Sequence, residues 1–264
     1  MFNKNRAMQW SFLLLGLCLA VNSRAEEQLV VSAASSLKDA FVEIGKVFEA
    51  EHPGKKVSFN FAGSNQLANQ IEQGAPVDVF ASADMAYVQR LANKNLTGES
   101  AVLAKNKMIL IVAKSTKVKI DALPDLANKG VRLIVPAKQV PAAIYARQVL
   151  TKADQAGLYG AGFSSRVLGN AVSEESDVRM AVMKVAMGEG DAGIVYASDV
   201  IGDVRSKVRV ISIPDQFNAV AEYGVATVKN SSHPDTAKAF YAFLQSPKGE
   251  SILVKSGLLP AQTK

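Results

Sequence analysis

The sequence has almost none of the residues that form disulfides, metal sites or nucleophilic centres. Its 264 residues include one cysteine, Cys18, and two histidines, His52 and His233. Cys18 lies in an apolar N-terminal run, so the rest of the chain can form no disulfide and no thiolate metal site. Each histidine precedes a proline, with no second histidine or cysteine at ligand spacing. No nucleophile, base and orienting group can be assembled from these residues, so we do not expect an enzyme.

Long apolar runs are also scarce, and the single clear one is N-terminal. Residues 10–21 are mostly apolar, follow Lys4 and Arg6, and precede a small-x-small pattern that ends at Ala25. The run is too short to cross a bilayer comfortably. This pattern predicts a secretory signal peptide over residues 1–25, cleaved after Ala25, and an exported, periplasmic protein.

The charge of the chain is moderate and shows no strong bias. Removing Lys4, Arg6 and Arg24 with the leader would lower the formal net charge from +6 to +3. The remaining bases are scattered and are not interleaved with an aromatic stripe, so we expect no nucleic-acid partner.

Strand and helix patterns alternate through the rest of the chain. A β-branched run at residues 29–33 stops at small residues, and a helical apolar period begins at once. Repeated short turns of this kind predict an α/β fold with mostly parallel, mixed sheets flanked by helices. We interpret the chain as two lobes joined by two crossings, with residues 26–106 plus 223–264 in lobe 1 and residues 107–222 in lobe 2. Ligands of open α/β sheets lie beyond the carboxyl ends of the strands, which predicts a central cleft.

Four predicted helix starts could face this cleft. They lie at Ser36, Ser64, Ala142 and Val178, and the first follows a strand directly, with serine at the expected N-cap position. Free N–H groups and the helix dipole attract anions at such places. Ala142 and Val178 could donate only through the backbone, whereas Tyr196, at a strand end, could donate through its phenol. Ordinary helix capping, and an exposed tyrosine at a rim, are the alternative interpretations.

One acidic residue lies beside these positions. We interpret Asp177 as a first-turn residue that the helix dipole stabilises. If its carboxylate instead faced the ligand, phosphate would become plausible, because phosphate keeps a proton at neutral pH and needs an acceptor.

Five segments carry a family resemblance. They are Ala-Ala-Ser-Ser-Leu at 33–37, Phe-Ala-Gly-Ser at 61–64, Gly-Ala-Pro-Val-Asp-Val-Phe-Ala-Ser-Ala-Asp at 74–84, Val-Pro-Ala-Ala-Ile-Tyr-Ala at 140–146 and Gly-Ile-Val-Tyr at 193–196. In this order the chain resembles the periplasmic molybdate-binding components of ABC importers, and the block at 74–84 is the most specific part.

The resemblance implies a type II periplasmic-binding-protein fold and a set of ligand contacts. Molybdate or tungstate would be held as an oxyanion, without a cofactor and without direct bonds from protein to metal. The implied contacts are Ser36 and Ser64 through hydroxyl and backbone, Ala142 and Val178 through backbone N–H, and Tyr196 through its hydroxyl. Ser35 leaves open which neighbouring serine points inward.

The sequence therefore predicts a binding protein that delivers molybdate, and also tungstate, to an inner-membrane ABC permease. A monomer is expected. Sulfate or another tetrahedral oxyanion is the alternative ligand, since the donor chemistry is the same. A serine β-lactamase-like enzyme is a remote alternative, because Ser35-x-x-Lys38 matches one of its motifs but the partner motifs are incomplete or misplaced.

Overall fold

The computed structural model describes residues 27–262. The predicted signal peptide and its cleavage site lie outside the described residues. None of the helices between residues 27 and 262 combines the length and the apolar character that crossing a membrane requires.

Nine strands and nine α-helices alternate along this part of the chain. The strands are β1 (Glu27–Ala34), β2 (Lys55–Ala62), β3 (Val79–Ser82), β4 (Thr97–Ala113), β5 (Leu133–Pro136), β6 (Ala171–Glu175), β7 (Ala192–Tyr196), β8 (Val208–Ser212) and β9 (Val220–Val228). The helices are α1 (Lys38–Glu51), α2 (Ser64–Glu72), α3 (Met85–Asn93), α4 (Pro141–Gln155), α5 (Phe163–Gly169), α6 (Val178–Met187), α7 (Asp203–Lys207), α8 (Pro234–Leu244) and α9 (Pro247–Lys255).

The strands form two sheets that share the long strand β4. In the first sheet the order is β2-β1-β3-β9-β4, with β1 parallel to both of its neighbours and β9 antiparallel to β3 and β4. In the second sheet the C-terminal half of β4 pairs antiparallel with β7 and β8, and β5 pairs parallel with β6 and β7. Both sheets are therefore mixed, as predicted.

Strand β4 changes partner at one point. It pairs with β9 as far as Lys107, and from Met108 onward it pairs with β7. The chain returns to the first sheet at β9, which begins at Val220. The division into residues 26–106 plus 223–264 and residues 107–222 stays a prediction.

Helix α1 shows why the apolar period of the sequence produces this packing. Phe41, Ile44 and Phe48 recur at helical spacing and are all fully buried. The ring of Phe48 meets Phe240 of α8 edge to face, with the ring centroids 5.1 Å apart. The C-terminal helices thus pack back onto the first sheet.

Several elements were not predicted from the sequence. The N-terminal half of β4, the short helices α5 and α7, and the strand β6 (Ala171–Glu175) lack a continuous apolar pattern. In β6 the residues are mostly half-buried or exposed, because this strand lies at the edge of the second sheet. Its pairing with β5, rather than its own hydrophobicity, makes it a strand.

Asp78, inside the specific block at 74–84, joins the first sheet to the loop after β9. Its carboxylate is 3% exposed and accepts hydrogen bonds from the Val30 backbone N–H (2.7 Å) and the Ser231 hydroxyl (2.6 Å). The Asp78 backbone also bonds to Val30 and Val228. This acid therefore has a structural role, away from the predicted ligand contacts.

We expect Asp78→Ala to lower the free energy of unfolding by about 1.5–3 kcal/mol, since the substitution leaves the buried Val30 N–H without its acceptor. Denaturant unfolding of the protein would measure this loss. The matched control is Asp215→Ala, because the Asp215 side chain is 85% exposed and pairs only with Lys107; its effect should stay within about 0.5 kcal/mol. Equal stability of the two variants would contradict the structural role.

Candidate functional site

The structure brings all five predicted site residues to one small cavity between the two sheets. The space inside it that the centre of a water-sized sphere can occupy is about 10 Å³, within a hollow of about 190 Å³ that includes open solvent. Its lining residues are Ala34, Ser35, Ser36, Ala62, Gly63, Ser64, Ala83, Val140, Pro141, Ala142, Val178 and Tyr196. None of them carries a charge, so the cavity offers only hydroxyl groups and backbone dipoles to a ligand.

Ser36 reaches the cavity from a short 3-10 turn between β1 and α1. The prediction that this serine caps the helix is wrong: Leu37 is the N-cap of α1, and no side chain caps it. The extra turn separates Ser36 from the helix start. Its hydroxyl oxygen instead accepts a hydrogen bond from the Tyr223 hydroxyl at 3.0 Å.

Ser64 is the first residue of α2, directly after the N-cap Gly63. Its hydroxyl oxygen accepts a hydrogen bond from the Ala83 backbone N–H at 3.0 Å. Its own backbone N–H is one of the first in the helix and has no intrahelical acceptor. Ser64 can therefore donate to a ligand through both its hydroxyl and its backbone.

Ala142 lies in the first turn of α4, after Pro141. Because proline has no N–H, Ala142 provides the first backbone donor of this helix. The next two N–H groups, of Ala143 and Ile144, donate to the Val140 carbonyl. The Ala142 N–H has no acceptor among the residues described by the structure, and it lies at the cavity.

Val178 begins α6, and Asp177 caps that helix. The Asp177 carboxylate accepts from the backbone N–H groups of Arg179 (2.8 Å) and Met180 (3.1 Å). This arrangement leaves the Val178 N–H, next to the cavity, without a protein acceptor within residues 27–262. The interpretation of Asp177 as a helix-start residue is confirmed, and its carboxylate is not among the cavity-lining groups.

Tyr196 ends β7 and is fully buried, so the alternative of a rim tyrosine with its hydroxyl in water is wrong. Its ring packs between Tyr145 and Tyr223, and its hydroxyl lies 3.4 Å from the Ala83 carbonyl oxygen. Burial raises the pKa of this phenol well above its usual value. Tyr196 therefore stays protonated, and its hydroxyl donates that proton to the Ala83 carbonyl.

Ala83, in the block at 74–84, bonds to two of the predicted site residues. Its N–H donates to Ser64, and its carbonyl lies against the Tyr196 hydroxyl. The following residue, Asp84, caps α3 by accepting from the Ala86 N–H at 2.7 Å. Residue Ala83 of the block thus holds two site residues in place. The block was recognised in the sequence, but this role was not predicted.

Arg179 is a functional neighbour that the sequence reasoning missed. Its guanidinium lies 2.8 Å from Asp199 and 2.6 Å from Asp39, which is three residues after Ser36 in the chain. Desolvation raises the pKa of the fully buried Asp199 to about 7, while the adjacent guanidinium limits that rise. The two acids engage the Arg179 charge, so the cavity itself stays uncharged.

The two sides of the cavity lie in direct contact. A Cβ atom placed on Gly63, in the first sheet's α2 start, would lie 2.7 Å from the backbone oxygen of Ser176, which precedes α6. The Tyr87 hydroxyl of α3 donates to the Gln139 carbonyl just before α4. The structure therefore shows a closed arrangement around the cavity.

Within residues 27–262, no three histidine, cysteine, aspartate or glutamate side chains are grouped so that they could hold a metal ion.

The fold and this site define a solute-binding protein. The chain belongs to the family of bacterial extracellular solute-binding proteins, whose model matches residues 29–259. The molybdate-binding protein ModA of Mycobacterium tuberculosis is 36% identical over 236 residues, which cover 89% of this chain and 85% of that protein. The predicted resemblance is confirmed.

Two solved structures share the architecture. The periplasmic molybdate-binding protein of Azotobacter vinelandii has a TM-score of 0.75 at 24% identity and covers 89% of this chain and 100% of its own. The sulfate-binding protein SubI from Mycobacterium tuberculosis has a TM-score of 0.79 at 18% identity, covering 89% and 88%. At these identities the likeness concerns the fold alone. The predicted two-lobe α/β fold is confirmed.

We expect Ser64→Ala to lower the free energy of unfolding of the ligand-free protein by about 1–3 kcal/mol, because the Ala83 N–H loses its buried acceptor. Ser35→Ala is the matched control, since the Ser35 hydroxyl lines the same cavity without a hydrogen bond to the described residues. It should cost less than about 1 kcal/mol. Denaturant unfolding checks both variants, and an equal loss would contradict the geometry given for Ser64.

Proposed function

We propose that this protein binds molybdate, and tungstate in the same way, and delivers the ion to an inner-membrane ABC permease. The observation that carries the proposal is the convergence of Ser36, Ser64, Ala142, Val178 and Tyr196 on one uncharged cavity. The name of the mycobacterial relative supports the choice of ion. We further propose that the chain is exported to the periplasm, with residues 1–25 removed, and acts as a monomer that performs no chemistry.

The donor set suits a fully deprotonated tetrahedral dianion. Such an ion has four oxygens that accept many hydrogen bonds, and helix starts supply both N–H groups and a favourable dipole. The cavity lining has no carboxylate, and Asp177 is occupied as a helix cap. A hydrogen phosphate ion would therefore find no carboxylate to accept its proton, which disfavours phosphate.

No lysine or arginine is among the residues that line the cavity, and this has a second consequence. A lysine or arginine in direct contact would add a strong charge-assisted bond to the anion. Neutral dipoles from both sides of the cleft hold the ion only while the two sides are together. Opening of the cleft separates the donors of Ser36 and Ser64 from those of Ala142, Val178 and Tyr196. We propose that this opening, between the lobes 26–106 plus 223–264 and 107–222, releases the ion to the permease.

Calorimetric titration of the protein starting at Glu26 tests this function. We expect saturable 1:1 binding of molybdate and tungstate, with sulfate and hydrogen phosphate binding at least about tenfold more weakly. Sulfate is the critical competitor, because it offers the same charge and tetrahedral geometry. Preferential sulfate binding would assign the protein to the alternative ligand, and tight phosphate binding or no binding would refute the proposal.

We expect Gly63→Ala to weaken molybdate binding by roughly 5- to 150-fold, the equivalent of about 1–3 kcal/mol of steric overlap. The reason is that the new Cβ would meet the Ser176 carbonyl only when the cleft is closed. The backbone of Gly63 (φ −63°, ψ 138°) suits alanine, but the new Cβ would also lie 2.7 Å from the Asn65 side-chain oxygen, so the thermal midpoint of the ligand-free protein should fall only by the small cost of moving that side chain.

The matched control is Gly169→Ala, at an exposed helix end where a Cβ would meet no atom within 4 Å. This variant should bind like the original protein in the same titration. Unaltered molybdate affinity in Gly63→Ala would show that the contact with Ser176 is not part of the ligand-bound state.

A further inference from the structure

A series of hydrogen-bonded, buried side chains lies behind the cavity. Two of them, Asn106 and Tyr223, are not among the five predicted contacts. Asn106, in β4, and Tyr223, in β9, are both 0% exposed. A polar side chain is buried at this depth only when hydrogen bonds compensate its desolvation. Their hydrogen bonds connect them to the hydroxyl of Ser36, which lines the cavity.

The hydrogen bonds of this chain have a direction. The Asn106 amide nitrogen donates to the Ser198 hydroxyl at 2.8 Å and to the Tyr223 hydroxyl oxygen at 3.2 Å. An amide N–H₂ group can only donate. With the amide nitrogen facing Tyr223, an orientation that leaves the Asn106 amide oxygen without a partner among the described residues, the Tyr223 proton is directed away from Asn106 and is donated to the Ser36 oxygen at 3.0 Å.

The same direction determines what Ser36 can do. With its oxygen accepting from Tyr223, the Ser36 hydroxyl has its own proton left to donate, and the residue lines the cavity. Burial raises the pKa of Tyr223, so the phenol keeps its proton. Hydrogen bonds in such a chain polarise one another and strengthen the terminal donor.

We propose that Tyr223, held by Asn106, is a positioning residue that orients the Ser36 hydroxyl to donate to the bound oxyanion. This inference rests on the proposed function. Tyr223 is not among the residues that line the cavity. Its contribution passes through Ser36, and the second serine, Ser64, is oriented independently by the Ala83 backbone.

A double-mutant cycle tests the proposal with molybdate as the probe in calorimetric titrations. Tyr223→Phe should weaken binding about three- to tenfold, the range expected for one hydrogen bond. In a Ser36→Ala background the same change should alter the affinity less than about twofold, because the group that Tyr223 orients is gone. In a Ser64→Ala background the full effect should persist. A residue that only supported the fold would weaken binding equally in both backgrounds.

Tyr241→Phe is the control for loss of a tyrosine hydroxyl away from the cavity, since Tyr241 lies in α8 and the residue is 8% exposed. It should leave molybdate affinity unchanged. Should Tyr223→Phe fail to fold, Asn106→Leu interrupts the same chain at its other end, and its effect should likewise disappear in the Ser36→Ala background.

The outcomes separate this inference from the proposed function. If the original protein binds no molybdate, both fail. If it binds molybdate and Tyr223→Phe binds equally well or more tightly, only the positioning role is overturned. Equal losses in the Ser36→Ala and Ser64→Ala backgrounds would also overturn it, since they would show that Tyr223 does not act through Ser36.

Discussion

The site depends on hydrogen-bond donors that the protein leaves without acceptors of its own. In a buried place an unpaired N–H or O–H group is costly, so a cluster of such groups needs an external acceptor. Here these donors are the first N–H groups of three helices and the hydroxyls of Ser36 and Ser64, while the Tyr196 hydroxyl donates to the Ala83 carbonyl. Pro141, which lacks an N–H, and Asp177, which caps the two N–H groups after Val178, determine which backbone donors remain.

Three hydroxyls at the cavity are each held by a hydrogen bond to a residue outside the five predicted contacts. Ser64 accepts from Ala83, Ser36 accepts from Tyr223, and the Tyr196 hydroxyl rests against the Ala83 carbonyl. These supports come from strand β9 and from Ala83, directly after β3. The block at 74–84 thus has a physical role in the site, because its residue Ala83 holds two of the three hydroxyls.

Three charged side chains lie close to the cavity but are not among the residues that line it. Arg179 follows Val178 directly, yet its guanidinium forms ion pairs with Asp199, in the 3-10 turn after β7, and with Asp39 of α1. The pair with Asp39 joins the two sides of the cleft, as does the close approach of Gly63 to Ser176. The closed arrangement therefore combines an ion pair and a tight backbone contact around a neutral cavity.

The sequence by itself determined the fold class, most helices and strands, and all five residues that gather at the cavity. Apolar periodicity specifies α1 and β1 locally, and small residues after a strand mark a turn that exposes helix N–H groups. Family resemblance supplied the particular set. The starts of α8 and α9 also follow from proline at their first positions.

Only the tertiary structure decided the rest. The edge strand β6 and the polar half of β4 are strands because neighbours pair with them, which no local pattern encodes. Asn106 and Tyr223 are 117 residues apart in the chain yet share a hydrogen bond, and Arg179 reaches Asp39 across 140 residues. The direction of a hydroxyl depends on such distant partners, because a serine can donate or accept until the fold supplies the neighbour that leaves it one choice.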